Sequence, residues 1–210
     1  METEIVVRET EGKSGKNNWL KLAIEILIRE GVDQVKVQVI AKKLGVSRSS
    51  FYWFFDSIQD LHNQLLDYWL RKNTGPIIER AMRPAPTINK AVCNVFECWI
   101  DDDLFDPALD VAIRFWGRHD ANIRAVVDNS DQQRIEALQR MFMRFDYAEE
   151  EAMTRGRVIY YNQIGHFTLQ VKESIEERLS HLRSYLLTFT GIEPTADDMD
   201  SLVCSTQGGK

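Results

Sequence analysis

The sequence has 210 residues, of which 44% are hydrophobic and 28% charged, a balance typical of globular proteins rather than of disordered chains. With 5 prolines and 11 glycines, it is too poor in both residues to be a collagen-like chain or a linker. Its formal net charge of −6 argues, as an average, against binding to nucleic acid, but the charges are unevenly distributed along the chain.

The cysteines and the N-terminal residues indicate the compartment. Cys93, Cys98 and Cys204 are an odd number and too few for a disulfide framework, which favours a reducing environment. Residues 1–16 alternate charges and lack the apolar core of a signal peptide. Because apolar runs such as residues 22–28 contain a charge, we expect a cytoplasmic protein without a membrane partner.

Apolar residues recur at helical spacing along most of the chain. The first such stretch is followed by Gly31, where a helix would stop. A long amphipathic helix is expected to begin near Asp56 or Ser57 and to run through Trp69. Val35, Val37 and Val39 alternate with polar residues as in a strand, but they lack a pairing partner, so we predict a helix entry there. The three short helices before residue 56 are predicted near 17–29, 37–44 and 48–54.

The rest of the sequence predicts further helices separated by proline-containing breaks. We expect these helices near 76–82, 87–100, 107–117, 119–127, 131–145, 149–170 and 173–190. The predicted fold is all-α, with an N-terminal three-helix domain followed by a larger helical domain. The expected boundaries are a disordered tail over 1–12, the small domain over 13–56, the larger domain over 57–193 and a disordered tail over 194–210.

The second and third helices match a helix-turn-helix motif. Gly45 lies in the turn between them, where a residue that tolerates positive φ is needed. Apolar residues on both sides of the turn would form a small core, with Phe51 and Phe55 in it. The side chains then expected to face outward are Gln38, Lys42, Ser47, Arg48, Ser49, Ser50, Tyr52 and Trp53. Small polar residues and an arginine at a helix start are suited to the major groove of DNA.

The charge distribution agrees with this interpretation. Residues 13–55 carry eight Lys or Arg against three Asp or Glu, a net charge of +5. The flanking segments are acidic, with −3 over residues 1–12 and −8 over residues 56–210. The basic segment can therefore neutralise phosphates although the whole chain is anionic.

The stretch VKVQVIAKKLGVSRSSFYWFFDSIQDLHNQLLDYW, residues 35–69, resembles the DNA-binding domain of TetR-type (TetR/AcrR) transcriptional regulators. The shared pattern is I-A-x-x-L-G-V-S, then variable polar positions, an apolar residue, a tyrosine and an aromatic pair before a long helix. The resemblance implies a homodimer that binds a palindromic double-stranded DNA operator. It also implies a larger helical domain that binds a small effector, which we expect to be apolar, and that dimerises through its last two long helices.

Carried over residue by residue, the resemblance assigns roles within this stretch. Ser47, Arg48, Ser49 and Ser50 correspond to base-reading and adjacent backbone positions, and Tyr52 to a phosphate contact, although Tyr52 is also compatible with the core. Further expected contacts to DNA are Lys16, Lys36, Gln38 and Trp53.

Three positions depart from the family pattern. Lys36 replaces the usual threonine cap of the second helix, Phe54 replaces a frequent histidine, and Ile58 replaces a basic residue. These changes reduce the expected anchoring to the DNA backbone. The alternative is therefore a ligand-binding or interaction protein whose DNA-binding domain is vestigial.

Other motifs predict neither an enzyme nor a cofactor. The four histidines are scattered, and no HExxH, GxSxG, P-loop or GxGxxG pattern occurs. Asp101, Asp102 and Asp103 lack the glycine and terminal glutamate of a calcium loop, so we interpret them as a solvated loop, with a metal site as the alternative. Cys93 and Cys98 are interpreted as buried small residues, with a thiol sensor as the alternative.

The larger domain carries candidate pocket and interface residues, each also compatible with ordinary packing. The pocket candidates, mostly aromatic, are Phe96, Trp99, Phe115, Trp116, His119, Tyr160 and Gln163. Apolar stripes on the last two long helices suggest a four-helix dimer interface, with packing inside one subunit as the alternative. The interface candidates are Tyr161, Gly165, Leu169, Leu179, Leu182 and Leu186.

Overall fold

The structure is a computed structural model that describes the backbone of residues 2–207 and the side chains of residues 15–200 and of Leu202. Eleven α-helices occur in the described part: α1 Glu2–Glu30, α2 Val37–Leu44, α3 Ile58–Trp69, α4 Gly75–Met82, α5 Ile88–Ile100, α6 Pro107–Gly117, α7 Ala121–Met143, α8 Glu149–Thr168, α9 Ile175–Ser180, α10 Leu182–Thr190 and α11 Ala196–Gln207. The remaining helical turns are 3₁₀ helices over Val32–Gln34 and Arg48–Trp53 and a π-helix over Leu70–Thr74.

The all-α prediction is confirmed, since residues 2–207 contain no strand. Val35, which alternates with Val37 and Val39 in the sequence, is a buried residue that follows the first 3₁₀ helix. Val37 is the first residue of α2. The alternating valines are therefore a helix entry, as predicted.

The chain divides into two compact units. Unit 1 comprises residues up to Trp69 together with Ala108–Arg124, and unit 2 comprises Leu70–Pro107 together with the chain from Ala125 onward. Unit 1 thus includes α3 and nearly all of α6, both of which the sequence analysis assigned to the larger domain. The indole N–H of Trp69 donates to the Asp110 carboxylate over 2.9 Å and links α3 to α6 inside unit 1.

The core of unit 1 is built around aromatic residues. Phe51 is fully buried and packs edge-on against Trp19, with ring centroids 5.3 Å apart, and stacks on Phe55 at 5.0 Å. The aliphatic residues buried with them are Ala23, Ile26, Leu27, Ile40, Ala41, Leu61 and Leu65. Burial of these side chains fixes α1, α2 and α3 together and determines which residues of the intervening turn face outward.

Unit 2 has its own apolar core, formed by α4, α5, α8, α10 and α11 with the main part of α7. A buried polar group crosses this core. Arg134, fully buried, donates to the Thr74 hydroxyl over 2.9 Å and to the Tyr160 hydroxyl over 3.0 Å, and Tyr160 donates to Asp131 over 2.6 Å. The guanidinium and both hydroxyls are therefore hydrogen-bonded, as buried polar groups need to be.

Two predicted helix boundaries differ from the structure, one between residues 127 and 131 and one within residues 173–190. The helices expected over 119–127 and 131–145 are one continuous helix, α7, because Ser130 is buried and bonds to the Thr74 hydroxyl over 2.8 Å instead of ending the helix. The helix expected over 173–190 is two helices. At His181 the backbone N–H bonds to Arg178, three residues back, which tightens the chain locally and separates α9 from α10.

Both expected tails also differ from the prediction. Residues 2–12, expected to be disordered, belong to α1. Most of the expected C-terminal tail is α11, which packs on α5 through the buried Leu202. The tail's last residues, 208–210, lie outside the described part, as do the side chains of Lys13 and Cys204. None of the described helices is long and apolar enough to cross a bilayer.

Candidate nucleic-acid interface

The turn after α2 has the geometry that the glycine predicts. Gly45 has φ +69 and ψ 27, in the left-handed region. Its N–H bonds to carbonyl oxygens at the end of α2, and the N–H of Val46 bonds to the Ala41 carbonyl over 3.1 Å. These bonds satisfy the last carbonyls of the helix and redirect the chain into the next segment.

The segment after the turn, Arg48–Trp53, is a 3₁₀ helix anchored by one residue. Phe51 is completely buried, whereas the following Tyr52 and Trp53 are 63% and 81% exposed. Tyr52 contacts Phe51 edge-on, with ring centroids 5.2 Å apart, and its hydroxyl has no partner among the described residues. This edge therefore presents two large aromatic side chains to the surroundings.

The serines of this edge bond mainly to one another. The hydroxyl of Ser50 donates to the Ser47 carbonyl over 2.5 Å, and the hydroxyls of Ser47 and Ser49 are 2.8 Å apart. Ser47 occupies the N-cap position, as expected, but its side chain makes no capping bond. Ser47 and Ser49 are exposed, so both hydroxyls can also bond to an external partner.

The basic residues of this surface differ in whether other side chains already interact with them. Arg48, Lys36 and Lys42 are exposed and form no ion pair with any described side chain. Lys43, by contrast, pairs with Glu30 at 2.5 Å. Lys16 is partly buried, with its ammonium 5.4 Å from the centre of the Phe55 ring. The three unpaired cations are thus the strongest phosphate partners on this surface.

The departures from the family pattern have visible structural consequences. Lys36 occupies the N-cap of α2 and makes no side-chain capping bond, as its chemistry predicts. Phe54 packs against α1 at Gly15, where an added β-carbon would lie 2.8 Å from the ring. Gln38, the remaining polar candidate, is exposed on α2.

The start of α3 supports the edge from the other side. The hydroxyl of Ser57 accepts the N–H of Asp60 over 3.1 Å, so Ser57 is the cap. The Asp60 carboxylate accepts from Gln64 over 2.9 Å and from the N–H of Asp56 over 3.1 Å. These bonds, the one from Gln64 foremost, hold the pKa of Asp60 below its usual value and keep the helix start anchored.

Residues 20–65 match the model of the family described as "Bacterial regulatory proteins, tetR family". This segment is therefore a TetR-type DNA-binding domain of the kind found in transcriptional regulators. The match covers the turn at Gly45, the 3₁₀ segment and most of α3. No curated protein and no solved structure matches the chain. All the expected DNA-contacting residues except Lys16 lie within the matched segment.

The expected pocket residues lie in both units. In unit 2, Phe96, Trp99 and Gln163 line a cavity of about 50 Å³. Tyr160 is buried in the polar group around Arg134 instead. Phe115, Trp116 and His119 belong to unit 1 and do not line this cavity, so their role in a ligand pocket stays a prediction.

These three residues make aromatic contacts within unit 1. Trp116 is buried edge-on against His62, with centroids 5.0 Å apart. Phe115 is 58% exposed and contacts the exposed His119. Sequence reasoning missed Arg178, which lines the cavity in unit 2, because no local pattern distinguishes it from a surface arginine on an amphipathic helix.

The expected interface residues also separate into two groups. Tyr161 on α8 is 58% exposed, Leu169 directly after α8 is 78% exposed, and a β-carbon on Gly165 would meet nothing within 4 Å. Leu182 and Leu186 are buried in the core of unit 2, and Leu179 is partly buried beside the cavity. The burial of Leu182 and Leu186 favours the alternative of packing inside one subunit for these two residues, and the interface role of the other candidates stays a prediction.

The remaining candidate groups have no functional geometry in the described part. Cys93 and Cys98 are buried and unbonded to each other, and burial raises the pKa of each thiol to about 12, so neither is a ready thiolate. Asp101–Asp103 are exposed in the turn after α5. No group of His, Cys, Asp or Glu among the described residues could hold a metal ion.

Proposed function

We propose that this chain is a tetR-family repressor that binds a palindromic DNA operator as a homodimer and is released by a small effector. The observation that carries the DNA-binding part is the surface around residues 47–53. It combines two exposed hydroxyls and two exposed aromatic rings with Arg48 and the nearby Lys36 and Lys42 of α2, three cations that pair with no described side chain. Arg48 and the serines would contact base edges, while Lys36, Lys42 and Tyr52 would contact phosphates.

The dimer is supported by an apolar stripe on α8. Val158, Tyr161 and Leu169 are 47%, 58% and 78% exposed, and their spacing, with Gly165 between the last two, places them on one helix face. An exposed stripe of this kind suits a two-fold interface in which α8 packs on its copy, since Gly165 permits close approach. Two copies would present two DNA-binding surfaces to half-sites about one helical turn apart, or a multiple of it.

The response to an effector is supported by the cavity in unit 2, which has an aromatic wall and a few polar groups. A ligand there would favour the conformation to which it binds more tightly. If that conformation spaces the two DNA-binding surfaces differently from the operator half-sites, the ligand lowers the affinity for the operator.

The proposal is tested by selecting bound sequences from random duplexes at two salt concentrations. A palindromic enrichment, with affinity that falls as salt rises, is the expected result. Binding without any palindromic preference would contradict the dimeric reader. The absence of salt-dependent binding to any duplex would favour the alternative, a ligand-binding or interaction protein with a vestigial DNA-binding domain.

A further inference from the structure

The cavity in unit 2 is apolar on most of its wall. It is lined by Phe96 and Trp99 from α5 and by Leu182 and Phe189 from α10. The rings of Phe96 and Trp99 lie 5.2 Å apart, and Phe96 meets Phe189 edge-on at 6.1 Å. A volume of about 50 Å³ is room for only a few water molecules or for a small organic molecule.

A buried amide group in this wall lacks half of its hydrogen bonds. Gln163 is 4% exposed, and its carbonyl oxygen accepts from the Arg178 guanidinium over 3.1 Å. Its amide nitrogen has no hydrogen-bond partner among the described residues. A buried donor left unpaired costs free energy, so it marks a place where an acceptor from outside the chain would be stabilised.

The neighbouring Arg178 forms no ion pair with a described carboxylate, although the charge of Glu173 acts on it. Its guanidinium donates to two neutral oxygens, that of the Gln163 amide at 3.1 Å and the Trp99 carbonyl at 3.1 Å. Burial lowers the pKa of Arg178 and the charge of Glu173 raises it, but a guanidinium stays protonated at neutral pH. No carboxylate of the described chain forms an ion pair with it, although Glu173 lines the same cavity.

We propose that this cavity binds a small monocarboxylic acid with an apolar body, whose carboxylate accepts hydrogen bonds from the Gln163 amide and the Arg178 guanidinium. The aromatic and leucine wall takes the apolar body, and the two adjacent donors take the carboxylate oxygens. A single net charge is specified, because the Arg178 guanidinium compensates one negative charge, while Glu173 on the same wall adds to the repulsion of a second. The inference rests on the proposed function, since it names the chemical class of the effector.

The proposal is tested by calorimetric titration of the full chain with matched probes at constant ionic strength. The probes are butyrate and benzoate, the corresponding alcohols butan-1-ol and benzyl alcohol, and inorganic phosphate. We expect the two acids to bind at least about tenfold more tightly than the alcohols, because a charge-assisted hydrogen bond is lost with the carboxylate. Equal binding of acids and alcohols, or preferential binding of phosphate, would overturn the proposal.

Variants locate the binding site. Arg178→Met and Gln163→Leu are each expected to weaken binding of the acids about tenfold or more. Arg183→Met is the matched control, because Arg183 is exposed on α10 and pairs with Glu193 outside the cavity; it should leave the affinity unchanged. Circular dichroism checks that each variant is folded, because Gln163→Leu removes an acceptor of the Arg178 guanidinium as well as the unpaired donor. Retained acid binding in both cavity variants would overturn the assignment.

Operator binding measured in parallel separates this proposal from the proposed function. If the acids bind but leave the affinity for the operator unchanged, the site stands and the effector response is contradicted. If neither acid binds up to about 10 mM while the operator is bound normally, the carboxylate site is overturned and the DNA-binding function stands.

Discussion

Phe51, Tyr52 and Trp53 follow one another in the chain but have opposite surroundings. The ring of Phe51 is completely buried between Trp19 and Phe55, and it holds the 3₁₀ segment against α1 and α3. The next two rings are more than half exposed. Exposed aromatic side chains are unfavourable in water but can pack against the thymine methyl groups of DNA, and the nearby cations can bind its phosphates. The order of these three residues therefore favours a surface that faces DNA.

At this scale, Arg48→Ala is expected to relax the sequence preference of the protein. The arginine is exposed and unpaired in the described chain, and a good bidentate contact to a base contributes about 1–3 kcal/mol of discrimination. Lys36→Ala should instead weaken binding to all duplexes alike and lower the salt slope by about one. The measurement is affinity for the selected operator and for a scrambled duplex across a salt series. Unchanged operator preference in Arg48→Ala would contradict its role as a base reader.

His62 is expected to make folding stability depend on pH. Burial lowers the pKa of His62, and a hydrogen bond to the backbone of Val35 opposes this shift. The Nε2 atom is buried next to Trp116 and has no hydrogen-bond partner among the described residues. The folded state therefore favours the neutral ring. The stabilisation of the folded state by neutral His62 is fully present above the pKa of about 6.5 in the unfolded chain. It is lost as the pH falls from there toward the lower pKa of His62 in the folded protein.

The measurement is urea unfolding of the protein at pH 7.5 and pH 5.5. We expect the midpoint to fall at the lower pH, and His62→Phe to reduce that fall, because the variant has no group to protonate. His181→Gln is the control, since His181 is exposed between α9 and α10. An equal fall in the wild-type and His62→Phe proteins would show that other groups cause the dependence.

At the scale of elements, the two glycines of α8 have different surroundings. A β-carbon on Gly156 would lie 3.2 Å from the backbone nitrogen of Gln139 and 3.2 Å from the β-carbon of Leu138, so α8 approaches α7 closely there. The open position of Gly165 contrasts with this. Within one subunit, helices therefore approach closely at Gly156 and not at Gly165.

Gly156→Ala should therefore destabilise the protein by about 1–3 kcal/mol, because the added methyl group overfills the contact with α7. Gly165→Ala is the matched control and should stabilise a monomer by up to about 1 kcal/mol through helix propensity. Chemical denaturation at low protein concentration measures both. A neutral Gly156→Ala variant would mean that α7 and α8 separate without cost.

The ends of helices could be predicted from the sequence where a nearby turn or capping residue determines them. Gly45 fixes the turn after α2, and Ser57 caps α3, as expected from the sequence. The reciprocal bonds of Thr195 and Asp198 start α11, and this Thr-x-x-Asp pattern is a signal that a compositional reading as disorder overlooked. The bond from Ser130 to Thr74 keeps α7 continuous, and such a contact between distant residues leaves no local pattern.

At the scale of the whole molecule, packing between residues distant in the sequence determines which helices line the cavity, and the sequence did not predict this. Of the pocket candidates, Phe96, Trp99 and Gln163 line the cavity in unit 2, whereas Tyr160 does not. Phe115 and Trp116 lie on α6, which belongs to unit 1. Arg178 reaches the cavity from a six-residue helix whose bounds follow from a capping box at Ser174. The hydrophobic periodicity of a helix predicts which of its faces is buried, but it does not predict which other helix packs against that face.

The dimer proposal predicts that a charge on the α8 stripe dissociates the protein. Tyr161→Glu places a carboxylate in the proposed interface and should shift the sedimentation coefficient to that of a monomer, with a loss of tight operator binding. Met143→Glu is the control, because Met143 is 45% exposed on α7, outside the stripe. A Tyr161→Glu protein that remains dimeric would exclude α8 as the interface.

The exposure of Trp53 gives the molecule an optical reporter. The chain has five tryptophans, and Trp19, Trp69, Trp99 and Trp116 are each at most 7% exposed, whereas Trp53 is 81% exposed. A dissolved quencher such as iodide should therefore dim mainly the emission of Trp53, and a bound duplex should protect it. Titration with DNA in the presence of iodide would read occupancy of the surface without any label, and a Trp53→Phe protein should lose the signal.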